Sequence, residues 1–251
     1  MERELTLHTI LSHLPHTTPA KIADIGGGSG VYAFKLADMG HEVHLRDLSP
    51  ALVELARQNN ALHPLASIEV GNAIDPDLFD GRQIGTFDAV LLLGPLYHLP
   101  NRLDRISAMR VALSLLKPSG VLFCAFVTVH AHLRDLVVRD PSRLLKEYKP
   151  FYEEYLSSGE YVKTRATGQK VESYHVPNLS QDIEELVSES GGRLVEVIST
   201  EGILGGVDSS LCNVEKEVLE KWVEIMLPMA KNPANIGCAD HLLAVAKKTA
   251  L

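Results

Sequence analysis

"ADIGGGSGVYA", residues 23–33, places glycine at 26, 27, 28 and 30 directly behind the short apolar run Lys21-Ile22-Ala23-Asp24-Ile25. An apolar run of this length that stops at glycines predicts a buried strand and a tight turn. The helical spacing of "VYAFKLADMG", with its terminal Gly40, predicts a helix behind the turn. Such a loop lets the backbone approach a ligand or another segment closely, because no Cβ stands in the way. Two nucleotide readings fail on composition. A dinucleotide-binding turn needs a third glycine where Val31 stands, and a P-loop needs Gly-Lys-Ser/Thr, whereas this loop holds no lysine. What remains is Asp24-x-Gly26-x-Gly28-x-Gly30: an acidic residue in the strand end, then alternate glycines through the turn.

Outward from this loop, apolar runs alternate with helical patterns. That alternation argues for an α/β fold, a doubly wound and mostly parallel sheet with helices on both faces. "HEVHLRDLSP" reads as a second strand, and "SPALVELARQNNAL" as a helix with Ser49 as N-cap and Pro50 in its first turn. "SIEVGNAID" and "FDAVLLLGPLYHL" supply strands three and four, the latter breaking at Gly94-Pro95. "RLDRISAMRVALSLLKPSG" is an amphipathic helix stopped by Pro118 and Gly120, and "VLFCAFV" is the fifth strand. "SQDIEELVSESG" reads as a helix, with "GRLVEVIST" and "HLLAVAKK" as the closing strands. The count is about seven strands.

With 251 residues, 45% of them hydrophobic, the chain is expected to form a single domain over 1–251. No run approaches the roughly 20 apolar residues of a membrane span, and "MERELTLHTILSHLPHTT" lacks the layout of an export signal, so a cytoplasmic protein without a membrane partner is expected. A net charge of -8 disfavours nucleic acid as a partner. Cys124, Cys212 and Cys238 lie far apart with no ligand spacing, which predicts neither a disulfide framework nor a metal site, with Cys124 in the core.

The Asp24-x-Gly26-x-Gly28-x-Gly30 loop resembles motif I of the class I S-adenosylmethionine-dependent methyltransferases, and later segments follow in the family's order. Asp47 closes the second strand, "GNAI" follows the third, "LLLGPLYHL" is similar to the segment after strand four in small-molecule methyltransferases, and "LLKPSGVLF" to the turn entering strand five. The resemblance covers residues 20 to 127 most strongly. It implies a Rossmann-like sheet of order 3-2-1-4-5-7-6 with strand seven antiparallel. It also implies S-adenosyl-L-methionine as cofactor, with S-adenosyl-L-homocysteine as product. The residues it implies around the cofactor are Asp24, Gly26, Gly28, Ser29, Gly30, Asp47, Leu48, Asn72, Ala73, Leu93 and Gly94. In that scheme Asp47 accepts from both ribose hydroxyls, as an acceptor-only carboxylate suits two donors. Asn72, where many relatives carry aspartate, meets the adenine amine through its amide oxygen. Asp24 either caps turn amides or acts near the cofactor's ammonium.

The implied activity is methyl transfer, by in-line displacement, to oxygen, nitrogen or sulfur of a small molecule. An oxidoreductase using a nucleotide cofactor and a non-catalytic cofactor-binding domain serving a partner protein are the alternatives. "GPLY" lacks the Asn/Asp-Pro-Pro-Tyr pattern of enzymes that methylate DNA amines. His98, after the strand-four break, is the candidate base, since an imidazole takes a proton near neutral pH, and Tyr97 shares its position. Tyr32 is expected to pack the first helix. His8, His13, His16, His41, His44 and His63 are assigned to surface helices or strand starts. His130, His132 and His175 are pocket members by position only, and His241 is structural. Residues 128–178 and 202–236 are expected to be lid insertions. The first carries Phe151, Tyr152, Tyr155 and Tyr161 for lid packing or an acceptor pocket. The second presents Val218, Leu219, Trp222, Val223 and Met226 for docking on the domain.

Overall fold

A computed structural model describes residues 1–15, 19–60, 64–146, 149–164, 167–179 and 181–249; His16 and His63 lie outside them. The chain runs α1 (Glu2–His13), β1 (Lys21–Ile25), α2 (Val31–Asp38), β2 (Glu42–Asp47), α3 (Pro50–Asn59), β3 (Ser67–Val70), β4 (Phe87–Leu92), α4 (Arg102–Leu115) and β5 (Leu116–Val127). It continues with α5 (Val129–Arg139), α6 (Arg143–Lys146), α7 (Lys149–Ser158), β6 (Glu160–Thr164), β7 (Lys170–Tyr174), α8 (Gln181–Glu189), β8 (Gly192–Ser199), α9 (Lys216–Met229), α10 (Pro233–Ile236) and β9 (His241–Lys248).

Seven strands form one sheet of order β3-β2-β1-β4-β5-β9-β8. The first five run parallel, and β9 lies antiparallel to both β5 and β8. This is the expected order, with β8 and β9 as the closing strands. The central strands β1, β4 and β5 are largely apolar on both faces because helices cover both, whereas β2 buries the polar His44 and Arg46. On one face Ile25, Val90, Leu92 and Leu122 pack with Met109 of α4 and Leu186 of α8. On the other, Ile22, Leu45, Leu91 and Phe123 pack with Ile10 of α1, Leu36 of α2 and Val53 of α3. Cys124 is fully buried. Ser49 caps α3, its hydroxyl accepting from Leu52 N at 3.4 Å.

Three expectations are corrected. His44 is no surface or strand-start residue: it sits mid-strand in β2, buried, with Nδ1 2.9 Å from Ser67 Oγ and Nε2 2.9 Å from Glu42 Oε1. Those partners let an imidazole occupy a position that periodicity assigns to the interior. Strand β5 begins at Leu116 rather than Val121, because Leu116 pairs with Phe87 before an irregularity resets the register to Ala89↔Val121. Helix α9 docks with only part of its expected face: Met226 is buried and Leu219 and Val223 are half-buried, while Val218 and Trp222, together with Ile225, form an exposed row. A second sheet, the β6–β7 hairpin, lies within the first insertion.

The glycine loop answers to two different demands. Gly26 has φ +72°, and a Cβ built there would lie 2.5 Å from Pro95 Cγ, so the loop is pressed against the break after β4. Gly28 has φ +58°, yet a Cβ there would meet only Leu52 Cδ1 at 3.9 Å. Gly26→Ala is therefore expected to destabilise the fold by about 2–4 kcal/mol, through left-handed strain plus a clash. Gly28→Ala should cost only about 1–2 kcal/mol, mostly strain, while its methyl projects into open space beside the loop. Thermal unfolding of the two variants, paired with calorimetric ligand binding, separates these effects.

Candidate functional site

The carboxyl ends of β1, β2, β3 and β4 surround a cavity of about 360 Å³ lined by residues of four consecutive loops. Gly26, Gly28, Asp47, Leu48, Asn72, Ala73, Gly94, Tyr97 and His98 all line it. Asp24, Ser29, Gly30 and Leu93, singled out with them, do not. Leu52, Gly71, Pro95 and Leu99 line it as well, and sequence reasoning missed them as sites. Leu52 had one available signal, since it lies in the first turn of the helix behind Asp47. A larger groove of about 710 Å³ between α1, α2 and α9 has an apolar floor and a rim of mixed charge.

Asp47 is fixed before any ligand arrives. Its Oδ2 accepts from Gly28 N and its Oδ1 from Ser49 N, both at 2.8 Å. Parallel pairing of β1 with β2 brings the glycine loop over the strand that ends in Asp47, and Gly26 N donates to Arg46 O at 2.7 Å. Each carboxylate oxygen keeps a further lone pair for a ligand hydroxyl. The exposed side chains of Leu48 and Leu52, with Ala73 and Leu99, give the cavity apolar walls suited to a planar group. The Asn72 amide oxygen already accepts from Ile74 N, at 3.3 Å, so it holds its own loop as well as facing the cavity.

Asp24 lies buried beneath the loop, 2% exposed, and its Oδ2 has no hydrogen-bond partner. The loop is closed over it so tightly that a Cβ on Gly27 would come within 2.6 Å of that oxygen. Burial, and then the charge of Asp47, push its pKa up to about 7, against a hydrogen bond from Ala33. A buried carboxyl with an unused oxygen beside a second carboxylate fits a cationic ligand group such as an ammonium.

Folding linkage follows from the sign of that shift. The unfolded carboxyl titrates near 3.8 and the folded one near 7, so stability is lost as pH rises through this window and stays lost above it. Asp24→Asn cannot ionise, and above pH 7 it is expected to be more stable than wild type by about 1–3 kcal/mol, part of the gain being returned by its buried amide N–H groups. The same variant should bind S-adenosylhomocysteine roughly tenfold more weakly. Melting curves at pH 5 and pH 8, with calorimetry at pH 8, test both; a variant less stable than wild type at pH 8 would contradict the account.

His98 ends a short 3₁₀ turn, Pro95–His98. It is exposed, with its ring centroid 4.7 Å from that of Tyr97. Partial desolvation lowers its pKa below the ordinary histidine value, opposed by the charge of Asp47. His98 is therefore neutral at pH 7 and able to accept a proton. Burial, with Glu2 nearby, raises the Tyr97 pKa, so that phenol keeps its proton. Arg105 fixes the turn from below. Its Nη1 donates to Leu99 O and Pro100 O, each at 2.7 Å, and its guanidinium lies 3.5 Å from the ring of Tyr174 on β7.

Tyr174 belongs to the first inserted segment, which leaves the sheet after Thr128 and returns at Val176. Val176 N donates to Val127 O at 2.8 Å, and Thr128 bridges to Val176. Tyr152 and Tyr155 are buried with Val129 and Leu136 in a small separate core, and Phe151 and Tyr161 pack on it. These aromatics build the segment rather than line the cavity. Arg134 of the first segment binds Asp240 and donates to Cys238 O at 2.8 Å, just beyond the end of the second segment. Gly205 lies so close that a Cβ there would meet Arg134 Nη1 at 2.2 Å. Tyr32 half-buries itself on α2, its hydroxyl near Thr6 of α1.

Residues 23–122 match the family model for a methyltransferase domain. The ubiquinone biosynthesis O-methyltransferase of Xanthomonas campestris pv. campestris is 37% identical over 106 residues, which is 41% of this chain and 41% of that protein. The chain thus aligns with well under half the length of the curated relatives it matches. Among solved structures, an S-adenosylmethionine-dependent methyltransferase from Methanosarcina mazei superposes with TM-score 0.64 at 16% identity, covering 97% of this chain and 98% of its own. The 1,6-didemethyltoxoflavin-N1-methyltransferase of Burkholderia thailandensis, with its substrate and S-adenosylhomocysteine bound, superposes with TM-score 0.56 at 14% identity, covering 99% of this chain and 78% of its own. Among the described residues no helix is long and apolar enough to cross a membrane.

Proposed function

With the chain a class I S-adenosylmethionine-dependent methyltransferase by its matched domain and its sheet, we propose that it transfers a methyl group to a small molecule. The observation that carries this is the pair of carboxyls at adjacent strand ends: Asp47 pinned by two amides with lone pairs to spare, and Asp24 buried with an unused oxygen. Together they fit a ligand that combines hydroxyls with a cationic amine. The cofactor, when bound, supplies an electrophilic methyl group. Asp47 would accept from its hydroxyls, Asp24, beneath the glycine loop, would act on its ammonium from below without direct contact, and Leu48, Leu52, Ala73 and Asn72 would hold its base.

The protein's part in the reaction is then alignment and proton removal. Reacting groups held in line in a water-poor pocket gain up to about 7–11 kcal/mol in effective concentration. His98, neutral and at the cavity rim, would take the proton of a hydroxyl acceptor. Oxygen is the acceptor atom best supported, by the O-methyltransferase name of the Xanthomonas relatives.

The segments 128–178 and 202–236 serve as a lid in this reading. Their meeting at Arg134, against which Gly205 packs, and the stacking of Tyr174 on Arg105, which holds the carbonyls just after His98, support it. A lid of this kind admits metabolites and bars folded macromolecules.

Turnover of methyl-labelled S-adenosylmethionine with a small-metabolite extract, beside intact RNA and intact protein, tests the proposal. Label is expected only in the small-molecule fraction. Efficient labelling of RNA or protein, or no turnover by protein that binds S-adenosylhomocysteine, would overturn it.

A further inference from the structure

Two imidazoles far apart in sequence stand beyond His98 along the same edge of the fold, and they are held in opposite states. His175, just after β7, is closed off. Its Nδ1 lies 2.6 Å from the Tyr155 hydroxyl and its Nε2 3.2 Å from Ser173 Oγ. Burial first, and then His132, His241 and His98, push its pKa down to about 4. It is a neutral, fully engaged wall.

His241 is built the other way. It is the first residue of β9 and pairs with Val127, the last residue of β5, which places it at the carboxyl edge of the sheet. Beneath it lies Glu201, 3% exposed. Glu201 Oε1 accepts from Asp240 N at 2.5 Å and His241 N at 2.6 Å, and Oε2 accepts from Thr200 Oγ1 at 2.7 Å while standing 3.5 Å from His241 Nδ1. Those bonds keep Glu201 ionised in spite of its burial. Burial opposes a charge on His241 too, but the bond to Glu201 and the charges of Glu2, Glu201 and Asp240 carry its pKa up to about 9.

The nearby charges are accounted for. Asp240 is engaged by Arg134, and Glu2, at the start of α1, approaches the same Nδ1 at 3.9 Å. Nε2–H meets no hydrogen-bonding partner among the described residues, on a side chain 37% exposed. An imidazolium anchored through one nitrogen, with the other N–H unspent, suits an anionic ligand group. Its place in the sheet puts it on the acceptor side: β5 runs beside β4, whose end leads into the turn carrying His98, and His241 pairs with the last residue of β5 at the same carboxyl edge.

We propose that His241, oriented by the buried Glu201, is a specificity-determining residue of the acceptor pocket, its Nε2–H receiving a carboxylate carried by a small acceptor whose nucleophile lies toward His98. This rests on the small-molecule methyl-transfer reading above, and it narrows the acceptor to an acid.

Benzoate and its uncharged analogue benzamide are the probes, titrated by NMR into the full-length protein with and without S-adenosylhomocysteine. Benzoate is expected to shift the His241 ring resonances at pH 7 and to bind about tenfold more tightly than benzamide, an advantage that fades as pH rises through about 9. His241→Gln should erase the advantage while S-adenosylhomocysteine affinity is retained. Glu201→Gln should lower the His241 titration midpoint and move the benzoate preference to lower pH with it. Equal binding of the two probes, binding of neither, or an advantage that survives His241→Gln overturns the proposal. Failure of the methyl-transfer reading is seen separately, as no S-adenosylhomocysteine binding, because the probe titrations are also made without it.

Discussion

Asp47→Ala is expected to reduce affinity for S-adenosylhomocysteine by roughly 10²- to 10⁴-fold, the equivalent of two charge-assisted hydrogen bonds at about 1.5–3 kcal/mol each. The carboxylate has two tasks, and the variant removes both. Its outward lone pairs face the cavity, and its inward ones hold the amides of Gly28 and Ser49 at 2.8 Å. Loss of the inward bonds loosens the loop, but these amides border the cavity and can turn to water, so the melting temperature should fall only modestly. Asp47→Asn keeps one acceptor oxygen and turns an N–H2 toward an amide donor, so it should fall between the two. Titration calorimetry decides the matter: unchanged affinity in Asp47→Ala would remove this residue from the ligand site.

His98→Ala should lower turnover by about 10²- to 10⁴-fold, the range for loss of a positioned base. The pH profile gives the sharper sign. Desolvation holds the His98 pKa below 6.5, so the acidic limb of kcat/KM should lie below that pH, with activity rising as His98 loses its proton. In the alanine variant that limb should vanish. Should the variant keep both a normal rate and the limb, His98 merely lines the cavity. Tyr97 cannot take over, since its phenol stays protonated across the same range.

The central strands β1, β4 and β5 could be read from the sequence because burial on both faces writes them as nearly continuous apolar runs, each ended by glycine or a capping residue. Ser49 and the Gly94-Pro95 break fixed the ends of two elements in this way. The same logic made the cavity residues visible, since they follow directly on strand ends. Helix α1 was harder to see because Leu5, Leu7 and Ile10, its buried apolar residues, are interleaved with the equally buried Thr6 and Thr9, which blurs the apolar stripe. Apart from the buried Tyr174 at its end, the β6–β7 hairpin alternates exposed with only half-buried positions, and so carries little hydrophobic contrast. Leu99 and Pro95 are ordinary packing residues whose place at the cavity is decided by the turn that carries them. The gathering of His175 and His241 depends on where an inserted segment re-enters the sheet, which no local pattern encodes.

Thr128 and Val176 sit side by side at the end of β5, so the chain departs on its long excursion and returns at one rung of the ladder. An excursion with coincident ends is a replaceable module. Its own small core around Tyr155 moves with it, and its ties to the rest of the fold run through a few contacts, Tyr174 on Arg105 and Arg134 on Asp240 among them. Residues 23–122, which carry the match to the methyltransferase family model, all lie upstream of this rung. On the function proposed above, descent is free to conserve the strand ends that would hold the methyl donor while rewriting the excursion that would help to choose what is methylated, and a graft between those two residues offers the protein engineer the same freedom.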